Sequence, residues 1–94
     1  MTASASVVIY TTPYCAYCVA AKRLLDSKGV LYREIPVGGR PDVRSEMEDL
    51  SGRRTVPQVF IDSRPVGGFD SLRALEASGE LNRLLFGSPL PGCA

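Results

Sequence analysis

Apolar residues fall along this chain in two periods, one of a strand and one of a helix. Val7 to Thr11, "VVIYT", is a short, β-branched, apolar run. It predicts a buried strand, parallel and central in its sheet. Pro13 ends it. From Cys15 to Lys28 the period changes: Ala21, Leu24, Leu25 and Lys28 follow helical spacing, with Lys22, Arg23 and Asp26 polar between them. Gly29 closes that helix and Val30 packs back. "LYREIPV", 31–37, alternates loosely and contains Pro36, so it reads as a strand nearer an edge, followed by a turn at Gly38 and Gly39. Val43, Met47 and Leu50 recur at i, i+4 and i+7, which predicts an amphipathic helix from about Pro41 to Gly52. "PQVFID", 57–62, is a strand, turned by "SR" into a short partner near Pro65 to Gly67. "DSLRALEASG", 70–79, is a helix capped by Asp70 and closed by Gly79. Leu81, Leu84 and Leu85 add a helical turn or two, and 87–94, broken by proline and glycine, reads as a loose tail.

The order is β-α-β, then α, then a β-hairpin, then α. With 94 residues, this predicts one α/β domain over 1–94, with a core at about 7–86. The first unit requires a right-handed parallel crossover. In open α/β sheets the chemistry sits beyond the C-terminal ends of the strands. Cys15 falls there. Eleven basic against ten acidic residues give a net charge of +1, and no basic block occurs. Nucleic acid and anionic membranes are therefore not expected partners. The N-terminus carries neither a basic n-region nor a long apolar run, so a cytoplasmic location and no membrane partner are expected.

"YTTPYCAYC", 10–18, places two thiols three residues apart just after the first strand. Such a pair is a staple, half of a metal site or a working redox couple. A lasting structural disulfide is not expected in a reducing compartment, and three cysteines would leave one unpaired. The chain has no histidine, which removes Cys–His catalysis and every Cys/His zinc site, and an all-cysteine zinc site needs a fourth thiol. Carboxylates could complete a metal set, but none cluster near Cys15 and Cys18, and against a pair of incidental buried cysteines the redox couple is the favoured reading. Residues three apart share a helix face, so the two sulfurs can meet. Cys15 sits at the helix start, where unpaired N–H groups and the dipole, worth about 1 kcal/mol, favour a thiolate. Cys18 sits one turn deeper. That asymmetry suits a nucleophile and a resolving thiol. Cys93 belongs to no motif and reads as an idle tail thiol.

Three motifs in order, "CAYC" at 15–18, "TVP" at 55–57 and "GGFD" at 67–70, resemble those of glutaredoxins, and the likeness runs from about Val7 to Leu85. It implies a thioredoxin fold with a four-stranded mixed sheet flanked by helices. It also implies a dithiol, glutathione-dependent disulfide oxidoreductase that acts on disulfide-bonded and glutathionylated proteins. Cys15 and Cys18 are then the catalytic pair. A cis bond before Pro57 lets the backbone of Val56, next to Thr55, pair with the cysteinyl part of glutathione like an added strand. Gly68, Phe69, Asp70 and Ser71 hold its γ-glutamyl end at a helix start. Tyr17 lines the groove, and Tyr14 packs beside the loop.

Three positions depart from the family pattern. Ala16 stands where many members have Pro, Thr12 where many have Lys, and Ser71 where many have a second Asp. Without that Lys, Arg54 is the expected partner of the ligand carboxylate, ahead of Arg53 and Lys22. Two alternatives to the glutathione-dependent enzyme remain. One is a redoxin served by thioredoxin reductase. The other is a dimer bridging a [2Fe–2S] cluster through Cys15 and glutathione, which Ala16 keeps open. Without a cluster, a monomer is expected.

Overall fold

The computed structural model describes residues 6–86. The elements run β1 (Val7–Thr11), α1 (Ala16–Ser27), β2 (Arg33–Pro36), α2 (Pro41–Ser51), β3 (Gln58–Ile61), β4 (Arg64–Gly67), α3 (Phe69–Ser78) and α4 (Glu80–Phe86). The tail 87–94, with Cys93, lies outside the described residues.

The four strands form one mixed sheet in the order β2-β1-β3-β4. β1 is central, as its apolar run predicts, and pairs in parallel with β2 from Val8 opposite Arg33 to Thr11 opposite Pro36. Its other side is antiparallel to β3, with Ile9 opposite Val59, so the strand is parallel on one flank only. β3 and β4 form the hairpin. β2 takes the edge, where Pro36 withholds no ladder donor from a further strand.

Alternation along β1 and β3 sends side chains to two layers. Val7, Ile9, Val59 and Ile61 face α1, α3 and α4, where Ala21, Leu25, Leu72, Leu81 and Leu85 complete the larger core. Tyr10 and Phe60 face α2 and pack with Val37 and Met47. Their rings meet edge to face at 5.5 Å. The short α4 is a full part of the fold because Leu81 and Leu85 are wholly buried.

Helix ends follow glycine where a left-handed residue is needed. α2 ends on Gly52 at φ 74° and α3 on Gly79 at φ 84°, both as the sequence predicts. Two expected details are corrected. The hairpin turns at Asp62 and Ser63, with φ of 52° and 67°, and Arg64 already belongs to β4. Two successive positive φ values are what a tight two-residue hairpin needs to match strand twist. In addition, Gly68 is the N-cap of α3 and Asp70 sits inside the first turn, without a side-chain cap bond. Its charge still meets the positive end of the helix.

Candidate active site

The site forms where β1 ends and α1 begins. Cys15 is the N-cap of α1, extended at φ −100° and ψ 111°. A cap normally offers a side-chain oxygen to the free N–H groups of the first turn. Here sulfur does so: Cys18 donates its N–H to Cys15 Sγ at 3.2 Å. Cys15 is half-buried, and its thiol faces the Val56 carbonyl oxygen 4.0 Å away. Cys18 is 2% exposed. Burial, with the hydrogen bond to Cys15 second, pushes its thiol up to about 11, while the Thr12 backbone and the Lys22 charge act in the opposite sense. The two sulfurs therefore differ in access, although only two residues separate them.

Across from Cys15 lies the segment 55–57, with the Val56–Pro57 bond in cis. The wholly buried Gln58 holds it from behind, donating Nε2–H to the Thr55 carbonyl oxygen at 2.9 Å and to Thr55 Oγ1 at 3.3 Å. A groove of about 330 Å³ runs from there to the start of α3. Its walls include Thr55, Val56 and Pro57 on one side and Gly68, Phe69, Asp70 and Ser71 on the other. Tyr17 closes one end, stacked on Phe69 with ring centroids 6.2 Å apart and 28° between planes. Close approach explains the glycines. A Cβ on Gly67, which has φ 119°, would lie 2.7 Å from Ser71 Oγ, and one on Gly68 would lie 3.3 Å from the Pro57 carbonyl oxygen, a tight contact between the two walls.

Most of the residues that the sequence singles out are brought together here. Arg54 is not. Arg53 lines the groove, whereas Arg54 is exposed outside it and its carbonyl oxygen accepts a hydrogen bond from Arg44 Nη2 at 2.8 Å. Lys22 is also away from this groove. It pairs with Glu34 at 3.1 Å, and Thr11 donates its hydroxyl to the same carboxylate oxygen at 2.7 Å. The Thr11 bond, aided by Lys22, lowers the Glu34 carboxyl below its usual range despite partial burial. Tyr14, expected to pack beside the loop, stands fully exposed at φ 63°. No periodic signal announces the Thr11–Glu34–Lys22 cluster, because it draws one residue from each of three elements.

A second cavity, about 380 Å³, opens beside Cys15 between the end of β1, α1 and β2. Cys15 lines this cavity and meets the groove through its contact with the Val56 carbonyl oxygen. Among the described residues no three Cys, Asp or Glu side chains converge as metal ligands, and one chain offers one partly exposed thiol. A [2Fe–2S] cluster needs four protein or external thiolates, so the described residues of one chain do not fit it alone. No described helix is long and apolar enough to cross a membrane.

A partly exposed sulfur capping a helix, with a buried partner one turn below, defines the site of a thiol–disulfide oxidoreductase. The glutaredoxin family model matches residues 7–66. The chain is 53% identical to glutaredoxin 3 of Escherichia coli, over 86% of this chain and 98% of that one. It is 51% identical to a glutaredoxin of Pseudomonas aeruginosa, over 84% and 94% respectively. Among solved structures it resembles a Brucella melitensis glutaredoxin (TM-score 0.77, 49% identity, 90% of this chain and 94% of that chain covered). It also resembles a buckwheat glutaredoxin in complex with glutathione (TM-score 0.79, 32% identity, 93% and 84% covered). The chain belongs to the glutaredoxin family, and its fold is the thioredoxin fold.

Proposed function

We propose that this protein uses glutathione to reduce disulfides and glutathione mixed disulfides, with Cys15 as nucleophile and Cys18 as resolving thiol. The observation that carries this reading is the position of Cys15 Sγ. It caps α1, receives the Cys18 N–H, and faces the Val56 backbone at the head of the groove. Support also comes from the likeness to a glutaredoxin whose structure was solved with glutathione.

In this reading the Cys15 thiolate attacks the glutathione sulfur of a mixed disulfide. The Cys15–glutathione bond forms, the original disulfide breaks, and the client sulfur leaves as a thiolate that takes a proton from water. A second glutathione thiolate then attacks the bound glutathione sulfur, releasing oxidised glutathione and regenerating Cys15. With a protein disulfide, Cys18 instead attacks Cys15 Sγ and frees the client, and two glutathiones reduce the resulting pair. The Val56 backbone pairs with the cysteinyl unit as a short added strand, and the free N–H groups of α3 at Phe69 and Asp70 receive the γ-glutamyl carboxylate. Arg53, placed in the groove, takes the carboxylate role expected of Arg54.

Turnover of a glutathione mixed disulfide, coupled to glutathione reductase, tests the reading. The wild type and Cys18→Ser should turn over, and Cys15→Ser should not. Cys18→Ser should lose most activity on protein disulfides. Weak turnover in that assay, with strong reduction by thioredoxin reductase, would overturn it.

A further inference from the structure

We propose that the second cavity beside Cys15, walled by Tyr14, Val19 and the paired Lys22 and Glu34, seats the polypeptide that flanks a client's modified cysteine. This rests on the reading of Cys15 as the nucleophile for glutathionylated proteins, and it names where the client half of that substrate lies.

The argument starts from the geometry of exchange. A mixed disulfide reaching Cys15 carries two bodies, one on each sulfur. If the glutathione half fills the groove between Val56 and the start of α3, the other half has to leave in another direction. The second cavity is lined by Cys15 and Cys18 and shares no lining residue with the groove. The reaction places the departing sulfur at its mouth. The bond from Cys15 Sγ to glutathione sulfur forms, and the glutathione–client bond breaks. The electron pair stays on the client sulfur, which then takes a proton from water.

The surface chemistry selects the occupant. Among the described residues, the exposed large apolar side chains are Tyr14, Tyr17, Val19, Leu31 and Leu50. Tyr14 and Val19, within four positions of Cys15, line the second cavity, whereas Tyr17 lines the groove. Tyr14 is fully exposed and Val19 is 45% exposed. Clustered apolar exposure around a reactive atom marks a surface that another protein covers, and aromatic anchors dominate such contacts. Tyr14 is held outward by a left-handed backbone at φ 63°, a conformation that a bulky residue rarely adopts and that turns here serve to present it. Below it Pro13 is braced by the loop at Gly38, where a Cβ would come within 3.0 Å of Pro13 Cδ. The platform is therefore built rather than loose.

Charge separates a polypeptide from a second glutathione. The ionised groups of this cavity, Lys22 and Glu34, are bound to each other at 3.1 Å and cancel. Glutathione, with two carboxylates and one ammonium, gains nothing from a neutral wall. A peptide segment with uncharged, partly apolar residues beside its cysteine does.

The test compares two substrates under one assay. One is the mixed disulfide of glutathione with free cysteine. The other is a glutathionylated decapeptide with apolar residues on both sides of its cysteine. Val19→Asp and Tyr14→Ser, assayed separately, should raise KM for the peptide about tenfold. They should leave the cysteine substrate and the KM for glutathione within twofold. Val19→Asp lies on the solvent face of α1, so it keeps the test informative if Tyr14→Ser does not fold. Unchanged peptide kinetics in a folded variant would overturn the proposal. A raised KM for glutathione with both substrates would also overturn it, by placing the incoming glutathione in this cavity. The wild type separates the two readings. Turnover of the cysteine substrate without a variant effect on the peptide removes only the docking surface, whereas no wild-type turnover of either substrate removes the proposed function with it.

Discussion

At the scale of single residues, burial sets apart two chemically identical side chains. Cys18, pushed up to about 11 chiefly by burial, stays protonated at neutral pH, while Cys15 keeps a face to solvent. Iodoacetamide at pH 7 should therefore label one of the two thiols, and peptide mapping should find the label on Cys15. Equal labelling of Cys18 in the folded protein would contradict the assignment. The sign of the linked stability follows. A thiol whose pKa is raised on folding holds its proton more tightly in the native state. Its contribution is intact below the ordinary thiol range and is lost as pH rises from about 9 towards 11. Denaturant midpoints of wild type and Cys18→Ala should therefore converge across that window. Arg53→Met should weaken the glutathione dependence about five- to tenfold by removing a charge-assisted contact, and Arg54→Met should change it little. Choosing between those two arginines is beyond sequence reading. They are adjacent in an irregular stretch after Gly52, where no period fixes the side-chain direction.

At the scale of elements, one carboxylate ties three of them together. Glu34 on β2 receives the Thr11 hydroxyl from the end of β1 and the Lys22 ammonium from α1. Its lowered pKa means that this contribution is present above the ordinary carboxyl range and fades as pH falls through the acid range. Glu34→Gln should cost about 0.5–1 kcal/mol at pH 7, a figure kept low because the pair is partly exposed, and should cost less at pH 3. An equal loss at both pH values would mean that the charge plays no part. Elements such as β1, α2 and β3 are plain in the sequence because periodicity, Gly52 and Pro57 all point one way. The errors sit at junctions. Position 68 caps α3 with a glycine, which leaves no side-chain signature, so the nearby Asp70 draws the cap assignment to itself. The Asp62–Ser63 turn is hidden because aspartate and serine signal a turn without fixing its register. Asp62 has a second task there, accepting the Ser6 backbone N–H at 2.9 Å.

At the scale of the whole molecule, the larger core joins three helices to one face of the sheet, and Leu72 belongs to it with no exposure. Leu72→Ala should destabilise the fold by about 2–5 kcal/mol, read as a shift in the urea midpoint. A loss under about 1 kcal/mol would mean that the core closes over the gap. Because α3 carries both Leu72 and the Asp70–Ser71 wall of the groove, the same variant should also weaken glutathione use. The groove was legible in three short motifs, since Tyr17, Thr55 to Pro57 and Gly68 to Asp70 all line it. The second opening was not, since its walls are contributed by residues such as Val19, Lys22 and Gly38 that mean nothing singly. The sulfur cap on α1 has one further consequence. The Cys18 N–H bond to Cys15 Sγ belongs to the dithiol state of the folded chain. Folding and oxidation are two legs of one closed cycle, so any difference in unfolding free energy between the dithiol and disulfide forms must reappear as a displacement of the couple's potential from that of the unfolded chain. At about 30 mV for every 1.4 kcal/mol, a pair of urea titrations becomes a voltmeter for this helix start.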